Sequence, residues 1–155
     1  MPRRALIALL ACALLGTGCT ALGYKTRYYS TPDHVKVVGQ PRHAALVKST
    51  FWTAAAKLEA KGICKSHRHK ITKFEFRPGT YSEPGKGWGV WDSANKMYIA
   101  GSCGARTIMI VVDPNTGALN PGRGERDMVH EWGHALLAGA GIGGTWQEQH
   151  ELMGF

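Results

Sequence analysis

The sequence predicts an α+β fold, and three observations carry the prediction. A segment rich in Ala, Leu and Lys, "RHAALVKSTFWTAAAKLEAKG" (42–62), repeats apolar residues at helical spacing. Two segments, "ITKFEF" (71–76) and "TIMIVVD" (107–113), have the alternating and the continuous apolar patterns of strands. A second helical segment, "ERDMVHEWGHALLAG" (125–139), follows them. The expected architecture is a packing helix, a short mixed sheet of about three strands, a second long helix and a short C-terminal helix.

Length and composition agree. The chain has 155 residues, which suits one domain, and its 44% apolar content can build a core. Only 19% of residues are charged, and Gly is abundant at 20. This is neither a disordered composition nor, beyond the N-terminus, one with an apolar run of membrane-spanning length.

Taken in order, residues 1–18 come first. "MPRR" is a basic start, "ALIALLACALL" (5–15) an apolar run, and "GTGC" supplies small residues before Cys19. That is the layout of a secretory signal peptide. It resembles a bacterial lipoprotein signal, with Thr17 and Gly18 ahead of an acceptor Cys19 and Gly16 departing from the usual Leu. The resemblance implies a lipid on Cys19 and a membrane-anchored lipoprotein of the cell envelope. Processing without lipidation would give a secreted or periplasmic protein. Residues 19–43 are expected to form the tether, with a short strand at "VKVV" (35–38), and residues 44–155 the domain.

Of the four cysteines, Cys12 and Cys19 belong to the signal, leaving Cys64 and Cys103. An oxidising compartment makes that pair a natural disulfide, worth about 3–4 kcal/mol in the chain-entropy account. Net charge is +8, and without Arg3 and Arg4 the balance is 17 basic against 11 acidic residues. The cations are scattered and no nucleic-acid motif is present, so the charge is expected to be a solvated surface near a membrane.

In the packing helix the apolar stripe is Leu46, Val47, Phe51, Ala54, Ala55 and Leu58, and Gly62 offers a stop. "KSHRHK" (65–70) alternates His67 and His69 with cations, which disfavours a metal and suggests a solvated loop. "RPGTYSEPGKGWGVWDS" is a loop or bent edge strand, "KMYIAG" (96–101) a third strand, and "PNTGALNPGRG" (114–124) a long turn. The second helix opens with Glu125 and Asp127 at its positive end and closes at Gly139. Beyond "AGIGG", Thr145 and Glu148 have capping-box spacing for a last short helix.

The chemistry lies in "VHEWGHALL". His130 and His134 are four apart, so a helix places both imidazoles on one face, able to share one ion. Glu131 sits about 100° round the helix, where it can flank a metal and take a proton from water. Gly133 costs about 1 kcal/mol in a helix, which suggests a close packing contact.

These residues resemble the zincin metallopeptidases, specifically over 127–155 and loosely over 44–155. The resemblance implies a zinc ion, peptide-bond hydrolysis and a third protein ligand. Leu137 and Ala140 depart from the metzincin extension, which needs Gly and a ligand there. The gluzincin branch uses a Glu on a following helix, further downstream than Glu148. Small SprT-like zincins use a His some fifteen residues on, and His150 stands sixteen after His134. His150 is thus the preferred third ligand, with Glu148 and Glu151 as alternatives. Met153 is similar in place to the methionine beneath the metal of some zincins, although core packing explains it equally. Tyr81, Tyr98 and Arg106 are candidates for stabilising an oxyanion, and nothing in the sequence chooses among them.

Two functions follow. One is a zinc metalloendopeptidase of the cell envelope, acting on a peptide or protein. The other is a non-catalytic zinc-binding lipoprotein that works through a protein partner. A closed shell of four protein ligands, His130, His134, His150 and Glu148, would favour the second.

Overall fold

The structure, a computed structural model, describes residues 27–155. The expected signal segment and Cys19 lie outside the described residues.

Helix α1 (Ala44–Ala60) follows a single 3-10 turn at Pro41–His43. Val47, Phe51, Ala54, Ala55 and Leu58 fall on one face and are buried, while Trp52 points outward. Thr50 joins the buried face because its hydroxyl donates to the Leu46 carbonyl at 2.6 Å, which satisfies its polarity inside the core.

Among the described residues, seven strands form two sheets: β1 (Lys36–Val38), β2 (Lys73–Pro78), β3 (Tyr81–Glu83), β4 (Gly87–Asp92), β5 (Met97–Ile99), β6 (Gly101–Cys103) and β7 (Thr107–Val112). The larger sheet has the order β1-β2-β7-β6, parallel except for the antiparallel edge β6. The smaller is the antiparallel meander β3-β4-β5. The α+β class and mixed sheet are as expected, and the strands outnumber the expected three. Most of the added ones are three residues long, too short to show a periodicity. "KMYIAG" is split at Ala100: β5 joins the small sheet and β6 the large one.

Strand β7 is covered on both faces, as its unbroken apolar run requires. Ile108, Ile110 and Val112 pack towards the helices. Met109 and Val111 pack with Val90, Trp88 and Ile99 of the small sheet. Helix α2 (Gly124–Gly139) lies against α1, β6 and β7. Trp132 is fully buried between these layers, and its indole N–H donates to the Val47 carbonyl of α1 at 3.1 Å.

The expected Cys64–Cys103 disulfide is not formed, and both cysteines are free. Cys64, past the end of α1, is buried with its Sγ 3.9 Å from the Leu136 carbonyl oxygen. Cys103, on β6, neighbours the Glu131 carboxylate. The two thiols thus rest against different groups of α2, the Leu136 carbonyl for Cys64 and the Glu131 carboxylate for Cys103. Burial, reinforced by Glu131, pushes the Cys103 thiol up to about 12, so it stays protonated at neutral pH.

The loop around "KSHRHK" also differs from expectation. His69 is completely buried. Its Nε2 donates to the Thr31 carbonyl at 3.0 Å and its Nδ1 accepts from the Ile71 N–H at 3.2 Å. Main-chain pairing of Tyr29 with His69 runs alongside. Burial without a compensating charge pulls the His69 pKa down to about 4. Flanking cations marked the stretch as solvated, but alternation within it sends one ring inward.

Helix α3 (Trp146–Met153) starts with the expected capping box: Thr145 Oγ1 accepts from the Glu148 N–H, and Glu148 Oε2 accepts from the Thr145 N–H. Gly154 ends it in the left-handed conformation at φ 64°. Met153 is its one buried residue, seated over Gly133 of α2. A Cβ at Gly133 would lie 2.5 Å from the Met153 sulfur and 3.2 Å from the Phe155 ring, which explains a glycine in mid-helix.

Candidate metal centre

The centre is built where α3 folds back across α2. His130 and His134, one turn apart, present half-buried imidazoles along one face of α2. The "AGIGG" turn and the capping box set α3 so that His150 faces them. The three Nε2 atoms converge: 2.8 Å from His130 to His150, 3.0 Å from His134 to His150 and 3.2 Å from His130 to His134. Ligands on a tetrahedral zinc at about 2.0–2.1 Å stand roughly 3.3 Å apart. The triangle needs to open by only a few tenths of an ångström to admit one ion.

Hydrogen bonding identifies what this triangle is for. His130 Nδ1 lies 2.6 Å from the main-chain oxygen of Phe155, which can only accept. His134 Nδ1 lies 2.7 Å from Gln149 Oε1, another acceptor. Both Nδ1 atoms thus carry the proton, and a neutral imidazole so fixed turns the Nε2 lone pair to the centre. Two lone pairs pointing at a common spot repel one another unless a cation lies between them. Burial and the neighbouring imidazoles hold His134 below its ordinary pKa, and burial followed by His130 does so for His150, so both favour the neutral form that binds metal. Three histidines that can hold one ion together are the zinc-binding set, and the residues fit zinc.

The Glu131 carboxylate packs against edge strand β6. Glu131 is 9% exposed, and its Oε1 would lie 3.1 Å from a Cβ at Gly101, so the glycine gives the carboxylate room. Burial, and then the Asp127 carboxylate one turn earlier, push the Glu131 carboxyl up to about 8. A carboxyl poised near neutrality can both accept and return a proton, and a nearby cation would favour its ionised form. Asp127 itself is tied to Arg123 at 2.9 Å.

The other candidates lie elsewhere. Glu148 is committed to the cap of α3, where hydrogen bonds from Thr145 hold its carboxyl below the usual range. Glu151 is exposed and accepts from Gln147 at 2.9 Å. A fourth protein ligand from Glu148 is therefore not assembled. Met153 lies beneath α2, packed on Gly133. Tyr81 and Tyr98 stack on each other at 4.3 Å on the small sheet, and Arg106 is exposed beside β7. Among the described residues no hydrogen bond joins any of these three side chains to the histidines.

Sequence reasoning did not identify Gln149, the Phe155 main-chain oxygen or Trp146, whose ring lies 3.7 Å from that of His150. None has a local signature, because each acts only once α3 has folded onto α2.

No family model, curated protein or solved structure matches this chain. The assignment rests on the geometry. His130, His134 and the distal His150 form a zinc-binding triad consistent with an HExxH-type zincin metallopeptidase fold, and with Glu131 next to His130 it supports assignment as a catalytic metalloenzyme.

Proposed function

We propose that the protein is a zinc-dependent endopeptidase of the cell envelope. The observation that carries the reading is the three-histidine triangle with a buried carboxyl beside it and, among the described residues, no fourth protein ligand assembled, which leaves a coordination position for water or substrate.

His130, His134 and His150 would hold the ion. Zinc, when bound, supplies Lewis-acid polarisation of the attacking water and of the scissile carbonyl. Gln149 and the Phe155 main-chain oxygen fix the His134 and His130 rings so that both lone pairs stay on the centre. Glu131 takes the proton of the attacking water and returns it to the leaving amine. Glu131 is buried beside β6, and the bound cation would favour the ionised form that accepts the proton.

A digest of an unfolded protein substrate tests the reaction. Cleavage should cease on chelation, return with zinc, and fall by about 10²- to 10⁴-fold in Glu131→Gln with zinc content unchanged. Cleavage undiminished in that zinc-loaded variant would refute the role of Glu131. The envelope assignment is supported by the signal-like segment and Cys19. Fractionation tests it: wild type is expected with membranes and Cys19→Ser in the soluble fraction, and the same distribution for both would refute lipid anchoring.

A further inference from the structure

We propose that Trp146 is a positioning residue for the third zinc ligand, holding the His150 imidazole by close, tilted ring contact where the other two ligands are held by hydrogen bonds. The proposal rests on the zinc centre and is independent of the reaction catalysed there.

The three ligands are supported unequally. His130 and His134 are each fixed at Nδ1 by an oxygen acceptor and stand on the long, buried helix α2. For His150, no hydrogen bond at Nδ1 is found among the described residues, and its contacts by hydrogen bond are the two other Nε2 atoms. It stands on an eight-residue helix whose one buried side chain is Met153. A helix of two turns gains little from its own backbone. Something else must restrict the rotation of this ring.

Trp146 is placed to do so. It lies one turn before His150 on α3, and the ring centroids are 3.7 Å apart with the planes tilted by 52°. His150 is its sole aromatic neighbour among the described residues. Trp146 is also 70% exposed, so core packing does not explain it. Exposing a large indole carries a solubility cost that a polar residue would avoid. The contact should strengthen on loading, because an imidazole bound to a divalent cation becomes electron-poor and the indole face attracts positive charge. An interaction stronger in the zinc-bound state appears directly as zinc affinity.

The test is the zinc dissociation constant of the full chain in detergent, by competition with a chromophoric chelator, for wild type, Trp146→Phe and Trp146→Ala. Visible spectra of the cobalt(II)-substituted proteins and melting of the zinc-free proteins accompany it. Trp146→Ala should bind zinc about 10- to 100-fold more weakly and show altered cobalt bands, with zinc-free melting unchanged. Trp146→Phe should stay within about threefold of wild type, because an aromatic ring remains against the imidazole. Equal affinity in wild type and Trp146→Ala would overturn the proposal while leaving the centre intact. So would a Phe variant as weak as the Ala variant, or a zinc-free melting loss in step with the affinity loss. Wild-type protein that binds no zinc would overturn the centre itself and the proposal with it.

Discussion

His130, Glu131 and His134 illustrate how one helical turn separates binding from proton transfer. The four-residue spacing sends two imidazoles to α3, and the intervening carboxylate, about 100° away, goes to β6. The shared face of the two imidazoles and the angle to Glu131 were legible in the sequence, because helical geometry alone dictates them. The orientation of the rings was not, since the acceptors that set it come from a helix and a turn further along the chain. Gln149 shows the consequence: its Oε1 accepts from His134 Nδ1 at 2.7 Å, and without it that ring can rotate or exchange tautomers. Gln149→Leu is expected to weaken zinc binding about 10- to 100-fold, read by chelator competition. An unchanged dissociation constant would mean that the hydrogen bond does not orient the ligand.

At the scale of elements, α3 completes the site. Its start was visible as Thr145 and Glu148, and the same capping box removes Glu148 from contention as a ligand. Its docking was only hinted at, through Gly133, where the expected close contact is with Met153 and Phe155. The disulfide expectation failed at this scale too: two cysteines in one compartment were paired by arithmetic, but each thiol rests against a different residue of α2. The loop carrying His69 gives the clearest prediction. Its pKa is near 4 in the fold against about 6.5 unfolded, so the unfolded chain binds the proton first. The neutral, buried ring therefore contributes stability that is fully present above pH 6.5 and lost as pH falls towards 4, up to about 3 kcal/mol. His134 and His150 shift in the same direction, so His69→Gln isolates the effect. Urea midpoints for wild type should fall more steeply between pH 6.5 and 4 than those of His69→Gln. Parallel slopes would contradict the buried neutral ring.

Over the whole molecule, one fold places a narrow piece of chemistry at its margin. The large sheet and α1 form the base against which α2 is fixed, with Trp132 and Leu136 fully buried at the contact. Edge strand β6 walls one side of Glu131, and α3 closes over the histidines on the other. The class and the order of the long elements could be read from periodicity, since each spans several turns or pleats. The small sheet could be read only in part: "KMYIAG" was expected as a strand, but its split between the two sheets and the three-residue strand Tyr81–Glu83 carry no period and are set by pairing. The central claim is that three histidines, two local and one distal, hold one zinc. Zinc content of the full chain, measured side by side for wild type, His150→Ala and Glu148→Gln, tests it most directly. The expected result is about one zinc per chain in wild type and in Glu148→Gln, with most of it lost in His150→Ala. No zinc in wild type after reconstitution, or loss in Glu148→Gln with retention in His150→Ala, would contradict the account.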